Sequence, residues 1–73
     1  MKFNGTLHGT LGDLLEVLDA RTMVNVFVSE TMSIKFDYVY SILADRDFLD
    51  QYSDRRVVGF SFGINTNILL EEV

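Results

Sequence analysis

The chain has no cysteine, no proline and no tryptophan, and only one histidine. Without cysteine there can be no disulfide and no thiolate site, whether zinc, iron–sulfur or nucleophile. The lone His8 cannot assemble a multi-histidine metal site, and no cofactor is implied. Without proline there is no slow prolyl isomerisation and no proline-stiffened loop. Positive charge is also scarce, with six Lys and Arg against eleven Asp and Glu and a net charge of -5. A direct nucleic-acid binder needs a basic stripe to replace phosphate counterions, so that class is disfavoured. Long apolar runs are missing too. No stretch approaches the roughly 20 residues of a membrane span, and the opening "MKFNGTLHGTLGD" lacks the apolar core of a signal peptide. These absences predict a cytoplasmic protein that makes no membrane contact.

What is present is a strongly apolar small chain. Its 73 residues are 48% hydrophobic and 12% aromatic, too apolar for a disordered protein. A chain of this size makes one domain, residues 1–73, and buries only about 60% of the surface its unfolded form exposes. Small domains compensate with disulfides, metals or oligomerisation. With the first two removed, a homo-oligomer is expected, most simply a dimer.

Hydrophobic periodicity gives the elements. "KFNGTLHG" reads as a brief edge strand or an ordered arm. In "TLGDLLEVLDA", Thr10 is a helix cap, Asp13 suits the positive end of the helix dipole, and Leu11, Leu14, Leu15 and Leu18 share one face. Gly12 costs helix stability, less so in a first turn. After a turn at 19–22, "MVNVFVS" alternates as a strand, with Val24, Val26 and Val28 on one side. A connection at Ser29, Glu30 and Thr31 leads to "SIKFDYVYSI". That run alternates over 33–42 and predicts a strand with Ile34, Phe36, Tyr38, Tyr40 and Ile42 on its buried face. "ADRDFLDQYSD" predicts a short helix capped by Asp45, with Phe48, Leu49 and Tyr52 turned to the sheet. "RRVVGFSFG" predicts a strand, "INTN" a turn, and "ILLEEV" a closing strand paired with it. Short connections favour antiparallel neighbours. The expectation is an α+β domain with a small antiparallel sheet of about four strands and two short helices on one face.

The pattern of Thr10, Gly12, Asp13, Leu14, Leu15 and Leu18, then Thr22, Val24 and Val26, then Asp54, Arg55, Arg56 and Val57 resembles a group of small phage and prophage proteins. These carry a T-x-G-E-L-L-x-x-L helix, a T-x-V-x-V strand and an L-D-R-E-V type segment before a final hairpin. The resemblance spans most of the chain through fold-determining residues and transfers no catalytic residue. It implies a phage setting in the host-cell cytoplasm. Small phage proteins without an enzyme's constellation often inhibit host defence, some as sponges that sequester nucleotide immune signals.

No constellation for catalysis is visible, since a nucleophile, a base and an orienting group are not found together. The protein is expected not to be an enzyme. Asp45, Asp47, Asp50 and Asp54 suggest calcium at first sight. An EF-hand loop needs Gly at its sixth position and Glu at its twelfth, where Asp50 and Arg56 stand. The adjacent Arg55 and Arg56 either balance these carboxylates or form an anion clamp, for which a planar guanidinium is well suited. Both can serve one ligand only if they precede the strand. Tyr38 and Tyr40 are core or interface aromatics, or a stacking platform for a base. His8, between Leu7 and Gly9, is a surface or interface residue or a further ligand contact.

Two functions follow as expectations. One is a sponge that holds a small phosphorylated signalling nucleotide at an oligomer interface, using Arg55, Arg56, Tyr38, Tyr40 and His8. The other is an inhibitor whose acidic surface (Asp45, Asp47, Asp50, Asp54, Glu71, Glu72) occupies a basic or nucleic-acid-binding surface of a host defence protein.

Overall fold

In a computed structural model the described residues run from Gly9 to Glu72. The expected N-terminal strand and His8 lie outside them. The elements are α1 (Leu11–Val17), β1 (Met23–Ser29), β2 (Met32–Tyr38), α2 (Val39–Ala44), α3 (Arg46–Tyr52), β3 (Val57–Ser61) and β4 (Thr66–Leu70).

Helix α1 begins as its sequence dictates. The Asp13 backbone N–H donates to the Thr10 hydroxyl at 3.2 Å, and the Asp13 carboxylate accepts from the Thr10 N–H at 3.3 Å, a reciprocal capping box. Leu11 and Leu15 are buried, while Leu14 and Leu18 pack against the same core. Gly12 has a local reason. Its N–H donates to the Ser53 carbonyl at 2.9 Å, and an added Cβ would sit only 3.3 Å from that oxygen. The close approach of α1 to the end of α3 therefore makes a larger residue a tight fit. At α3, Asp45 is the N-cap, accepting from the Phe48 N–H at 3.1 Å.

The four strands form one sheet in the order β2-β1-β4-β3. The α+β class and the four strands are as expected. The hairpins β1–β2 and β3–β4 are antiparallel. The central pair is not: β1 and β4 run parallel, with Val24 beside Thr66 and Val26 beside Ile68, so the sheet is mixed. Short connections do dictate antiparallel neighbours, but β1 and β4 are not consecutive. The chain between them carries β2, α2, α3 and β3, long enough to return in the same direction.

Among the described residues there are three helices, not two. The expected strand over 33–42 stops at Tyr38 and becomes α2, with Val39 and Ile42 buried three residues apart on a helical face. Ile34 packs against the core as expected, but beyond the irregularity there the facing of β2 is reversed. Val24 pairs with Asp37 and Val26 with Lys35, so these charged residues share the core side with the valines. Phe36, Tyr38 and Tyr40 are exposed. Lys35 is accommodated because its ammonium donates to Asp45 at 2.6 Å and lies 5.5 Å from the centre of the Phe48 ring. Its stem thus covers apolar surface while the charge stays paired.

One cluster holds the domain together. Leu11 and Leu15 from α1, Val39 and Ile42 from α2 and Phe48 from α3 meet Val24, Val26, Val57, Ile68 and Leu70 from the strands. All three helices therefore lie on one face of the sheet. Strand alternation puts Phe27 on the other face, where it is buried as well.

Candidate functional site

The parallel central pair gives the sheet two distinct ends. At one end β1 and β4 begin while β2 and β3 finish. At the other, β1 and β4 finish while β2 and β3 begin.

Arg55 and Arg56 stand at the second end, immediately before β3, so the condition for a shared ligand is met. Backbone contacts hold them there. The Arg55 carbonyl accepts from the Leu11 N–H at 2.9 Å, and the Arg56 carbonyl accepts from the Glu71 N–H at 2.8 Å. An isolated bridge pairs Arg56 with Thr10. The arginine pair thus ties the start of α1, the start of β3 and the end of β4 into one junction.

Both arginines line an open groove of about 840 Å³. Four carboxylates line it with them: Asp50 and Asp54 from the α3 side, Glu71 and Glu72 from the chain after β4. Four negative charges thus face two positive ones. Half-buried Arg55 places its guanidinium 5.0 Å from the centre of the Tyr52 ring, a cation–π contact. Among the described residues the one ion pair within 4.0 Å is Lys35 with Asp45. Neither arginine therefore pairs directly with a carboxylate of the groove.

Tyr38 and Tyr40 form the other expected half of a site. Their rings stack, with centres 5.5 Å apart and planes 11° from parallel. Tyr38 ends the opposite edge strand and Tyr40 lies in the first turn of α2, both at the opposite end of the sheet from the arginines. Three strand spacings across and several residues along amount to a separation on the order of 20 Å. One chain therefore does not join the tyrosines and arginines in a single pocket. His8 lies outside the described residues.

Two carboxylates are held well into their charged form. Hydrogen bonds from the Ser41 hydroxyl and the Tyr38 N–H, both at 2.8 Å, lower the pKa of Asp37. The Lys35 ammonium, and then the Phe48 N–H, lower that of Asp45. Both groups serve the local structure: Asp37 fixes the change from β2 to α2, and Asp45 starts α3. Among the described residues no cluster of three or more histidine or acidic side chains could hold a metal ion. None of the helices there is long and apolar enough to cross a membrane.

The sequence reading missed a second exposed feature. Phe62 and Ile64, at the β3–β4 connection, are 67% and 102% exposed. The signal was legible: an isoleucine between Gly63 and Asn65 puts a β-branched apolar residue in a turn, where polar residues are usual. Compared with protein-family models, with curated proteins and with solved structures, the chain matches none.

Proposed function

We propose that the protein is a non-enzymatic binding module whose acidic end docks on a basic surface of a partner protein. The observation that carries this reading is the groove at the start of β3, where Asp50, Asp54, Glu71 and Glu72 outnumber the arginines. All four acids are exposed. A basic partner can reach them without first breaking a buried interaction, and complementary charge sets encounter rate and specificity. The same acids weigh against the nucleotide sponge, although both arginines share the groove. A phosphate entering it would exchange its water for a site with excess negative charge. That the partner is a host defence protein, with a surface that otherwise meets nucleic acid, rests on the phage resemblance alone.

The two readings separate by calorimetry with two probes, an oligo-arginine peptide and a cyclic dinucleotide. We expect the peptide to bind at low salt and the nucleotide to remain free. Neutralising the groove (Asp50→Asn, Asp54→Asn, Glu71→Gln, Glu72→Gln) should abolish peptide binding. Neutralising three exposed acids outside the groove (Glu16→Gln, Asp19→Asn, Asp47→Asn) should weaken it far less. Equal loss in both variants would reduce the effect to net charge. Nucleotide binding that disappears in Arg55→Ala/Arg56→Ala would restore the sponge.

A further inference from the structure

Beside the acidic groove, where β1 and β4 finish, lies a second groove of about 530 Å³ with a different lining. Half-buried Val28 and Leu69, near the ends of β1 and β4, give it apolar walls together with Val58 of β3. Val58 is the extra residue of a bulge between Val57 and Gly59, and it is 38% exposed. Glu30, in the turn after β1, lines the same groove with Glu71 and Glu72, and all three are exposed. No basic residue lines it among the described residues. None of the three glutamates is in an ion pair there, since that one pair joins Lys35 to Asp45.

We infer that this groove seats a lysine side chain of the partner, its aliphatic stem against Val28, Val58 and Leu69 and its ammonium among Glu30, Glu71 and Glu72. The inference rests on the reading of the acidic end as a docking site and names the group received there. Charge makes the first selection. An anion is repelled, and a neutral apolar side chain strips water from the carboxylates without replacing it. A cation replaces that hydration with charge-assisted hydrogen bonds. The apolar walls make the second selection. A compact cation gains nothing from Val28, Val58 and Leu69, and the three glutamates form no cluster that could hold a metal ion. A lysine carries its charge at the end of an apolar stem, as Lys35 of this chain does between Phe48 and Asp45. Its ammonium donors radiate from one nitrogen and suit carboxylates that come from separate segments. The planar fork of arginine suits a single carboxylate met edge-on.

The topology assembles this lining. Because β1 and β4 are parallel, with Phe27 beside Leu69, both strands finish at the same end and at the same level. The segments that follow them, one with Glu30 and the other with Glu71 and Glu72, therefore leave the sheet side by side. An antiparallel central pair would have sent them to opposite ends. Glu71 and Glu72 also line the first groove, so the two grooves share an acidic ridge. A partner with neighbouring basic residues fills both, one lysine seated here and the others facing Asp50 and Asp54.

Single amino-acid derivatives test the seat without the partner. N-acetyl-lysine methylamide titrated into the isotope-labelled protein at low salt should shift the methyl resonances of Val28, Val58 and Leu69 saturably. The norleucine derivative keeps the stem without the charge, and methylammonium keeps the charge without the stem. Each should bind about tenfold or more weakly than the lysine derivative. The arginine derivative should also bind more weakly. Glu30→Gln and Val58→Ser change exposed residues that do not line the first groove. Each should lower the lysine affinity about threefold or more with circular dichroism unchanged. Asp47→Asn, an exposed acid outside both grooves, should leave it unchanged. Shifts that miss these methyls, a norleucine, methylammonium or arginine affinity equal to that of lysine, or full affinity in both variants would overturn the seat. Its failure is distinct from that of the docking reading. Oligo-arginine binding that depends on the first groove, with no methyl shift from the lysine derivative, overturns the seat alone. Methyl shifts from the lysine derivative without oligo-arginine binding support the seat and overturn the docking of a basic surface.

Discussion

The two ends of this sheet rest on one core and expose opposite chemistry. The end where β3 begins carries Arg55, Arg56 and four groove carboxylates, held by backbone bonds from α1 and from the chain after β4. The end where β3 finishes carries stacked tyrosines and an apolar hairpin tip. At the first end, placement comes from main-chain bonds at a junction of three segments, and the side chains are left free. At the second, the exposed residues are placed by strand alternation and by a short hairpin. Neither end contributes much to the cluster beneath. The difference teaches that surface chemistry in so small a domain is set by which residues the topology strands at the ends of strands, while the core fixes only where those ends lie.

The largest expected effect tests whether the two ends share one foundation. Ile68 is fully buried on β4, between β1 and β3. Truncating it to Ala removes three carbons from the centre of the cluster and should cost about 2–5 kcal/mol. Typical stabilities of about 0.05–0.15 kcal/mol per residue make that a large share of the total. Urea unfolding followed by hydrogen exchange at the Leu11 and Glu71 amides of the groove junction and at the 62–65 hairpin should show both ends lost in one transition. Separate transitions would mean that the ends are held independently.

The capped helices were fully legible in the sequence. Thr10 with Asp13, and Asp45 with Phe48, are local patterns whose partners lie three residues away, so no tertiary information is needed. The alternation of β2 was legible as a strand but not as to which face is buried. Phe36 and Tyr38 would ordinarily face a core. Here the core side of this edge strand is filled by the Lys35 stem against Phe48, and Asp45 pairs the charge. That partnership spans ten residues and depends on α3 docking, which periodicity cannot encode. The end of β2 at Tyr38 was ambiguous for a related reason: "VYSI" fits both a period of two and a helical turn. The nearness of Arg55 and Arg56 could be read directly, but the glutamates facing them come from the other end of the hairpin and depend on β4 pairing with β3. The separation of the arginines from Tyr38 and Tyr40 depends on strand order, which no local pattern contains.

Acid should act next, and through the middle of the molecule more than through either end. Asp37 and Asp45 have pKa values lowered in the folded state, so the folded protein binds fewer protons than the unfolded chain near the ordinary carboxylate range. Their stabilisation is fully present above the unfolded pKa of about 4 and is lost as pH falls through the folded values. Thermal melting followed from pH 6 to pH 2.5 should show a fall that steepens below about pH 4. Asp37→Asn/Asp45→Asn should start less stable at pH 6 and fall less steeply. A variant that loses stability with the wild-type slope would show that other carboxylates govern the acid limb.

The smallest effect distinguishes the two arginines that share the acidic end. Arg55 is half-buried and holds its guanidinium over the Tyr52 ring, whereas Arg56 is exposed and contributes its backbone to the junction. Removing the Arg55 side chain discards a cation–π contact worth about 0.5–1 kcal/mol at such a site. Replacement of Arg56 by Ala leaves its carbonyl bond to Glu71 in place and should change stability by less than about 0.5 kcal/mol. Equilibrium unfolding of Arg55→Ala and Arg56→Ala, with Tyr52→Leu to remove the ring, resolves them. Arg55→Ala should lose its effect in the Tyr52→Leu background, because a pairwise contact cannot be lost twice. Arg56→Ala should be equally mild in both. An Arg56→Ala loss that matches or exceeds that of Arg55→Ala would show that its charge, and not its backbone, holds the junction together.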